Sequence, residues 1–137
     1  MKKLFAILLV AVLTSCGASL EPPKSNTDYK NIIGKPIEFG NLEIAKYDFP
    51  DRIKWYDANK ACAELGDGWR LPTEKEIYDI LFYNKAKIGM LHSIYWSNSD
   101  GFDYDYAKSM SFIVDKSGIM ESRKITKFYV RAVRTIK

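Results

Sequence analysis

GDGWRLPTEKEI, residues 66–77, is the stretch on which the fold turns. Thr73 followed by Glu76 reads as a capping box, in which the Thr73 hydroxyl accepts the Glu76 amide and the carboxylate reaches back to the Thr73 amide. Pro72 keeps Leu71 out of helical geometry, so the helix begins at Glu74 and no earlier. Ile77, Ile80, Leu81 and Asn84 then share one face, which predicts a helix over 74–83. Upstream, Trp55, Ala58, Cys62 and Leu65 recur at spacings of three, four and three. That pattern predicts a helix over 54–65, ended by Gly66 as a left-handed cap. Residues 66–73 are therefore a corner between two helices. Gly66 and Gly68 relax its backbone, Trp69 and Leu71 bury, and Arg70 pairs with a carboxylate or with backbone carbonyls. A second reading makes Trp69 and Arg70 a sugar platform with a hydrogen-bonding fork. It has less to explain, because the glycines and the capping box already account for the segment.

Outside the corner the pattern changes to strands. Pro36 to Phe39 and Leu42 to Ala45 are short strand-like runs, with Gly40-Asn41 as the turn between them. Ile94 to Ser97 is another short run. Met110, Phe112 and Val114 alternate with Ser109, Ser111 and Ile113. Asp115-Lys116-Ser117-Gly118 reads as a turn, with Ile119 to Ser122 returning as a strand. The last strand, Phe128 to Thr135, places Val130 and Ala132 on one face and Tyr129, Arg131 and Val133 on the other. Two helices followed by antiparallel strands make an α+β domain.

The N-terminus sets the compartment. Lys2 and Lys3 precede the apolar run Leu4 to Leu13, which is too short to span a bilayer as a permanent helix. A basic start, a short apolar core and small residues are the order of a secretory signal, expected over 1–15. Leu13-Thr14-Ser15-Cys16 looks like a bacterial lipobox, which makes Cys16 the lipidated residue, acylated through its thiol with palmitate-class chains. The membrane partner is then reached through a lipid anchor. Gly17, with no aspartate after the cysteine, favours the outer membrane of the cell envelope. Residues 16–29 hold two prolines and few large apolar groups and read as a tether. The remaining 108 residues, 30–137, suffice for one domain with one core.

Cysteine and charge counts exclude several classes. The chain has two cysteines, so a lipidated Cys16 leaves Cys62 without a disulfide partner. Cys62 lies in the alanine-rich helical pattern and reads as a small buried hydrophobe. Removing residues 1–15 takes two lysines from the 21 basic residues and none of the 17 acidic ones, leaving a nearly balanced surface. No nucleic-acid partner is expected from it. The single histidine, His92, has no base–orienter pair near it in sequence. With no nucleophile–base pair, metal-ligand cluster or phosphate-cradling loop, an enzyme is not expected, nor a metal or other cofactor.

Several separated motifs carry a family resemblance. They are Asn41-Leu42, Trp55-Tyr56-Asp57-Ala58, Ala61-Cys62, Gly66-Asp67-Gly68-Trp69-Arg70-Leu71-Pro72-Thr73, Tyr95-Trp96-Ser97 and Tyr129-Val130-Arg131-Ala132-Val133-Arg134, in that order. Together they resemble the Lcl C-terminal domain family over residues 33–137, a domain of unknown function named for a collagen-like adhesin. The resemblance implies a C-type-lectin-like fold, two helices packed on a twisted antiparallel sheet. It also implies envelope or extracellular display and, in some members, adhesion or glycan binding. It assigns the motif residues Trp55, Gly68, Trp69, Arg70, Pro72, Thr73, Trp96 and Arg131 to structure. Where the family commonly has two serines after the tryptophan, this chain has Ser97-Asn98. The triplets of calcium-dependent sugar-binding lectins are absent, as are the paired cysteines of the formylglycine-generating oxidases that share the fold.

The stretch from Asn98 to Tyr106 is the candidate binding loop. Asn98, Asp100, Asp103 and Asp105 are oxygen donors, but Gly101 comes too early for an EF-hand loop and no glutamate follows at the required spacing. Tyr104 and Tyr106, with Phe102 and the interleaved acids, suit a contact surface for a glycan or for an envelope or surface protein. The expectation is a lipid-anchored envelope protein with a non-catalytic binding or adhesion domain. The alternative is an accessory lipoprotein that holds other envelope proteins and has no small ligand.

Overall fold

The protein is described by a computed structural model from Tyr29 to Lys137. The signal segment, Cys16 and most of the tether lie outside the described residues. Tyr29 belongs to the domain rather than to the tether, because its ring packs 5.0 Å from that of Phe49.

A 3₁₀ turn, Tyr29–Ile32, leads into β1 (Ile37–Phe39) and β2 (Leu42–Ile44). These pair antiparallel around the Gly40-Asn41 turn, where Gly40 has φ +59°. A two-residue strand β3 (Ile53–Lys54) feeds directly into α1 (Trp55–Glu64). The Lys54 side chain caps nothing, and the Trp55 amide instead donates to the Lys124 carbonyl. Helix α1 buries Trp55, Ala58 and Cys62, the face marked by the three–four–three spacing. Burial pushes the Cys62 thiol up to about 12, so it stays protonated and packs as a hydrophobe.

Gly66, Asp67 and Gly68 all take positive φ, which turns the chain sharply after α1. The capping box forms at Thr73 and Glu76, and α2 (Glu74–Glu76) follows. It continues as a π-helical stretch, Ile77–Phe82, where the periodicity predicts regular α-helix. A further short helix, α3 (Lys85–Ile88), has no counterpart in the sequence reading and ends at Gly89 with φ +69°.

The strands then form a meander, β4 (Ile94–Asp100), β5 (Tyr106–Ser111) and β6 (Gly118–Arg123). The expected alternation over 109–114 is displaced. Strand β5 ends at Ser111 and Val114 is 77% exposed in the following turn. The expected continuous strand over 128–135 is interrupted too. It consists of β7 (Lys127–Phe128), paired with β3, and β8 (Val133–Thr135), paired with β2. The residues between them serve several partners. The Tyr129 carbonyl takes the Trp96 amide, that of Val130 the Phe49 amide, and that of Ala132 the Ala45 amide.

Three small antiparallel sheets result, where one twisted sheet is expected. Two apolar clusters lie between them and the helices. Trp55, Trp69, Leu71, Trp96, Val130 and Ala132 belong to the first. Ile44, Ile77, Leu81, Tyr95, Met110 and Val133 belong to the second. The alternation of the last segment therefore divides the core, with even positions 130 and 132 on one side and Val133 on the other. Among the described residues no helix is long and apolar enough to cross a membrane.

Candidate functional site

The stretch expected as a loop over 98–106 is largely a hairpin. Asn98 and Asp100 lie on β4, Tyr106 opens β5, and only residues 101–105 connect them. The Asn98 amide is tied to the Pro72 carbonyl at 2.8 Å, which fixes the hairpin to the helix corner. The Gly101 amide donates to the Tyr106 carbonyl at 2.8 Å, and the Phe102 amide donates to Glu121 Oε2 at 3.1 Å. A Cβ on Gly101 would stand 2.3 Å from Glu121 Oε2 and 2.8 Å from the Tyr106 carbonyl carbon. Only glycine fits this close backbone approach.

The hairpin tip is aromatic and exposed. Phe102 is 71% exposed, Tyr104 80%, and Tyr56 from α1 joins them at 54%. Tyr106 is half-buried beneath Phe102, with ring centroids 4.6 Å apart. Lys124 organises the group. Its backbone amide donates to the Asp105 carbonyl at 2.8 Å, and its ammonium donates to Asp100 Oδ1 at 2.9 Å. The same ammonium lies 4.3 Å from the Trp55 ring centroid, 5.2 Å from that of Tyr56 and 5.5 Å from that of Tyr104. A buried lysine boxed by three rings and one carboxylate holds the tip to the start of α1. The hydrogen bond that the Lys124 ammonium donates to Asp100 holds it above its ordinary range, and the Tyr56 hydroxyl raises Tyr104 likewise.

This arrangement separates the six residues expected to act together. Asp103, Tyr104 and Asp105 stand at the exposed tip. Asp100 is engaged by Lys124, while Asn98 and Tyr106 are half-buried on the strands. The oxygen donors do not converge, and among the described residues no group of three acidic, histidine or cysteine side chains could hold a metal ion. Sequence reasoning missed Tyr56 and Lys124. Tyr56 lies 46 residues before Phe102, at the start of α1, and Lys124 looks like any surface lysine until the fold places it among the rings.

The corner residues occupy a separate region. Arg70 donates to both oxygens of Glu76 at 2.8 Å each and to Thr135 Oγ1 at 3.1 Å. The Glu76 hydrogen bond raises the Arg70 guanidinium. Burial pushes the Glu76 carboxyl up, but Arg70 and Thr73 outweigh it and hold the carboxyl below its usual range. The stability linked to Glu76 is thus present above the ordinary carboxylate range and is lost as the pH falls through its lowered value. Gly68 opens the turn before Trp69, and Pro72 precedes the cap. Trp69 is 3% exposed and covered by the Arg134 guanidinium, 4.8 Å from its ring centroid.

A third polar group centres on Asp48. Arg131 Nε pairs with its Oδ1, and the Tyr95 hydroxyl donates to its Oδ2 at 2.7 Å. His92 Nε2 lies 3.6 Å from the same Oδ2, and the His92 ring stacks on Tyr129 at 3.7 Å between centroids. His92 therefore does have an acid beside it, unlike what its sequence neighbours suggest. That acid is occupied by Arg131 and Tyr95. Burial, and then Asp48, push the Tyr95 hydroxyl upward, so it remains a proton donor. The group contains no activated nucleophile and reads as a structural clasp.

No family model matches the sequence, and no curated protein does. Solved structures match the fold. One is EMS16, described as an antagonist of the collagen receptor integrin α2β1, at 15% identity and a TM-score of 0.57, covering 73% of this chain and 96% of EMS16. Another is botrocetin, at 11% identity and a TM-score of 0.54, covering 74% of this chain and 97% of botrocetin. Both are C-type-lectin-like proteins of snake venoms, and the chain has a C-type-lectin-like α+β fold.

Proposed function

We propose that this chain is a non-catalytic binding module, anchored in the cell envelope through lipid on Cys16, that engages a protein partner with its hairpin tip. The observation that carries this reading is the exposure of Phe102, Tyr104 and Tyr56 together on one rigid edge. Aromatic rings concentrate contact energy at protein interfaces, and monomeric surfaces rarely leave several of them grouped in water. The Lys124 box and Gly101 preorganise the edge, so little conformational entropy is lost on docking. Asp103 and Asp105 flank the rings and suit basic groups on the partner. EMS16 is described as a receptor antagonist, which supports a protein ligand for this fold. The resemblance of residues 33–137 to the Lcl C-terminal domain points the same way, toward adhesion. The anchor reading rests on the lipobox-like sequence before Cys16.

Two measurements test the two halves. Cys16→Ser removes the thiol needed for a thioether, so the variant should no longer incorporate a labelled fatty acid and should leave the membrane fraction. Continued labelling would sink the anchor. For the tip, a photo-crosslinking amino acid at position 104 of the whole chain in cells should trap a discrete protein adduct. The same probe at Tyr47, exposed elsewhere, should not. Phe102→Ala with Tyr104→Ala should abolish the complex while changing stability by only about 0.5 kcal/mol per exposed site. An adduct equally strong from position 47, or binding unchanged in the double variant, would refute the tip as the interface.

A further inference from the structure

A cleft of about 580 Å³ lies between the start of α2 and the β4–β6 sheet, away from the hairpin tip. That volume is within the roughly 300–1,000 Å³ typical of small-molecule sites. The Tyr78 ring lines it on the helical side and Ile119 on the sheet side. Tyr78 is 41% exposed, and its ring is held by Phe82 and Tyr83, at centroid distances of 6.4 and 5.8 Å. Its platform is thus fixed before any ligand arrives.

The charges of the cleft are already spent. Glu74 pairs with Lys108 at 2.8 Å, and Lys75 pairs with Asp79. The amides that would otherwise attract an anion are used as well. The Glu74 amide donates to Ser99 Oγ at 3.1 Å and the Glu76 amide to Thr73 Oγ1 at 3.1 Å. A charged ligand would have to break one of these pairs to gain its own. The Ser99 hydroxyl, however, acts here as an acceptor, which leaves its proton for a ligand, whereas the Thr73 hydroxyl also serves the Glu76 carboxylate. Paired carboxylates keep lone pairs that accept further hydrogen bonds. A fixed aromatic face, an aliphatic wall, a hydroxyl donor and carboxylate acceptors with no net charge complement one class of molecule. We propose that this cleft binds a neutral sugar, with the C–H face of one ring against Tyr78 and its hydroxyls on Ser99 and Glu74. This goes beyond the tip interface and does not depend on it.

The test titrates the whole chain, in a zwitterionic detergent without a sugar headgroup, with maltotriose, cellotriose and chitotriose, following amide shifts by NMR. At least one trisaccharide should saturate, with the largest changes at Tyr78 and Ser99 and none at Tyr104. Tyr78→Ala should weaken that sugar about tenfold or more, the scale of a lost aromatic anchor. Tyr78→Phe should bind nearly as the parent, since the Tyr78 hydroxyl is engaged with Tyr83. The Phe102→Ala, Tyr104→Ala chain should bind as the parent, which keeps failure here distinct from failure of the tip reading. The proposal is overturned if none of the three binds by about 10 mM, beyond the weak end of useful affinity. It is equally overturned if the shifts centre on the tip, or if a sulfated oligosaccharide takes the cleft in preference. Should Tyr78→Ala fail to fold, the shift map of the unaltered chain still decides.

Discussion

Arg131→Met is expected to cost about 3–5 kcal/mol, the range for removing one partner of a buried ion pair. Its guanidinium is 2% exposed and every nitrogen is used. Nε serves Asp48, Nη1 donates to the carbonyls of Ala45, Lys46 and Ile88 at 3.0, 3.1 and 2.9 Å, and Nη2 donates to that of Gly89 at 3.1 Å. Methionine fills much of the volume and satisfies none of these groups. The loss falls on two separate segments, because Ala45, Lys46 and Asp48 follow β2 while Ile88 and Gly89 end α3. For a domain of ordinary stability, about 5–15 kcal/mol, this is a large fraction. Urea unfolding of the whole chain measures it. Asp48→Leu combined with Arg131→Met should cost less than the sum of the single changes, since the second substitution removes the charge orphaned by the first. A single-variant loss under about 1 kcal/mol, the level of one ordinary hydrogen bond, would show that the clasp does not hold the fold.

Trp96→Ala is expected to reduce stability by about 3–5 kcal/mol from lost packing. The residue is fully buried, its ring lies 4.7 Å from Phe128, and its Nε1 donates to the Ile53 carbonyl at 2.8 Å. Truncation removes a large ring from the first cluster and also removes the indole donor to the Ile53 carbonyl, an added cost of about 1 kcal/mol. Trp96→Phe separates the two effects. It keeps most of the apolar volume and loses the indole N–H, so it should show mainly the smaller cost. Thermal melts of the three chains give the order. If Trp96→Phe were as damaging as Trp96→Ala, the hydrogen bond to β3 rather than the packing would dominate.

Local chemistry made the helix corner readable from sequence. The Thr73–Glu76 box, Pro72 and the glycines at 66 and 68 each act on atoms within four residues, so they specify their geometry without help. The same holds for the buried face of α1 and for the Gly40-Asn41 turn. The resemblance in motif order reached the C-type-lectin-like fold, because its tryptophans and the 129–134 segment mark both core clusters.

The register and the surfaces were settled only in three dimensions. Strand β5 begins at Tyr106 rather than Ser109, because Gly101 and Glu121 close the hairpin earlier than alternation alone indicates. The last strand is divided because its carbonyls are claimed by residues 49, 45 and 96, all distant in sequence. Tyr56, Phe102, Tyr104 and Lys124 become one surface through packing between elements whose extremes, Tyr56 and Lys124, are 68 residues apart. The charges that make the α2 cleft neutral cancel only after Lys108 meets Glu74 across the sheet. Periodicity reports which face of an element avoids water, and it carries no information on which other element that face or its edge will meet.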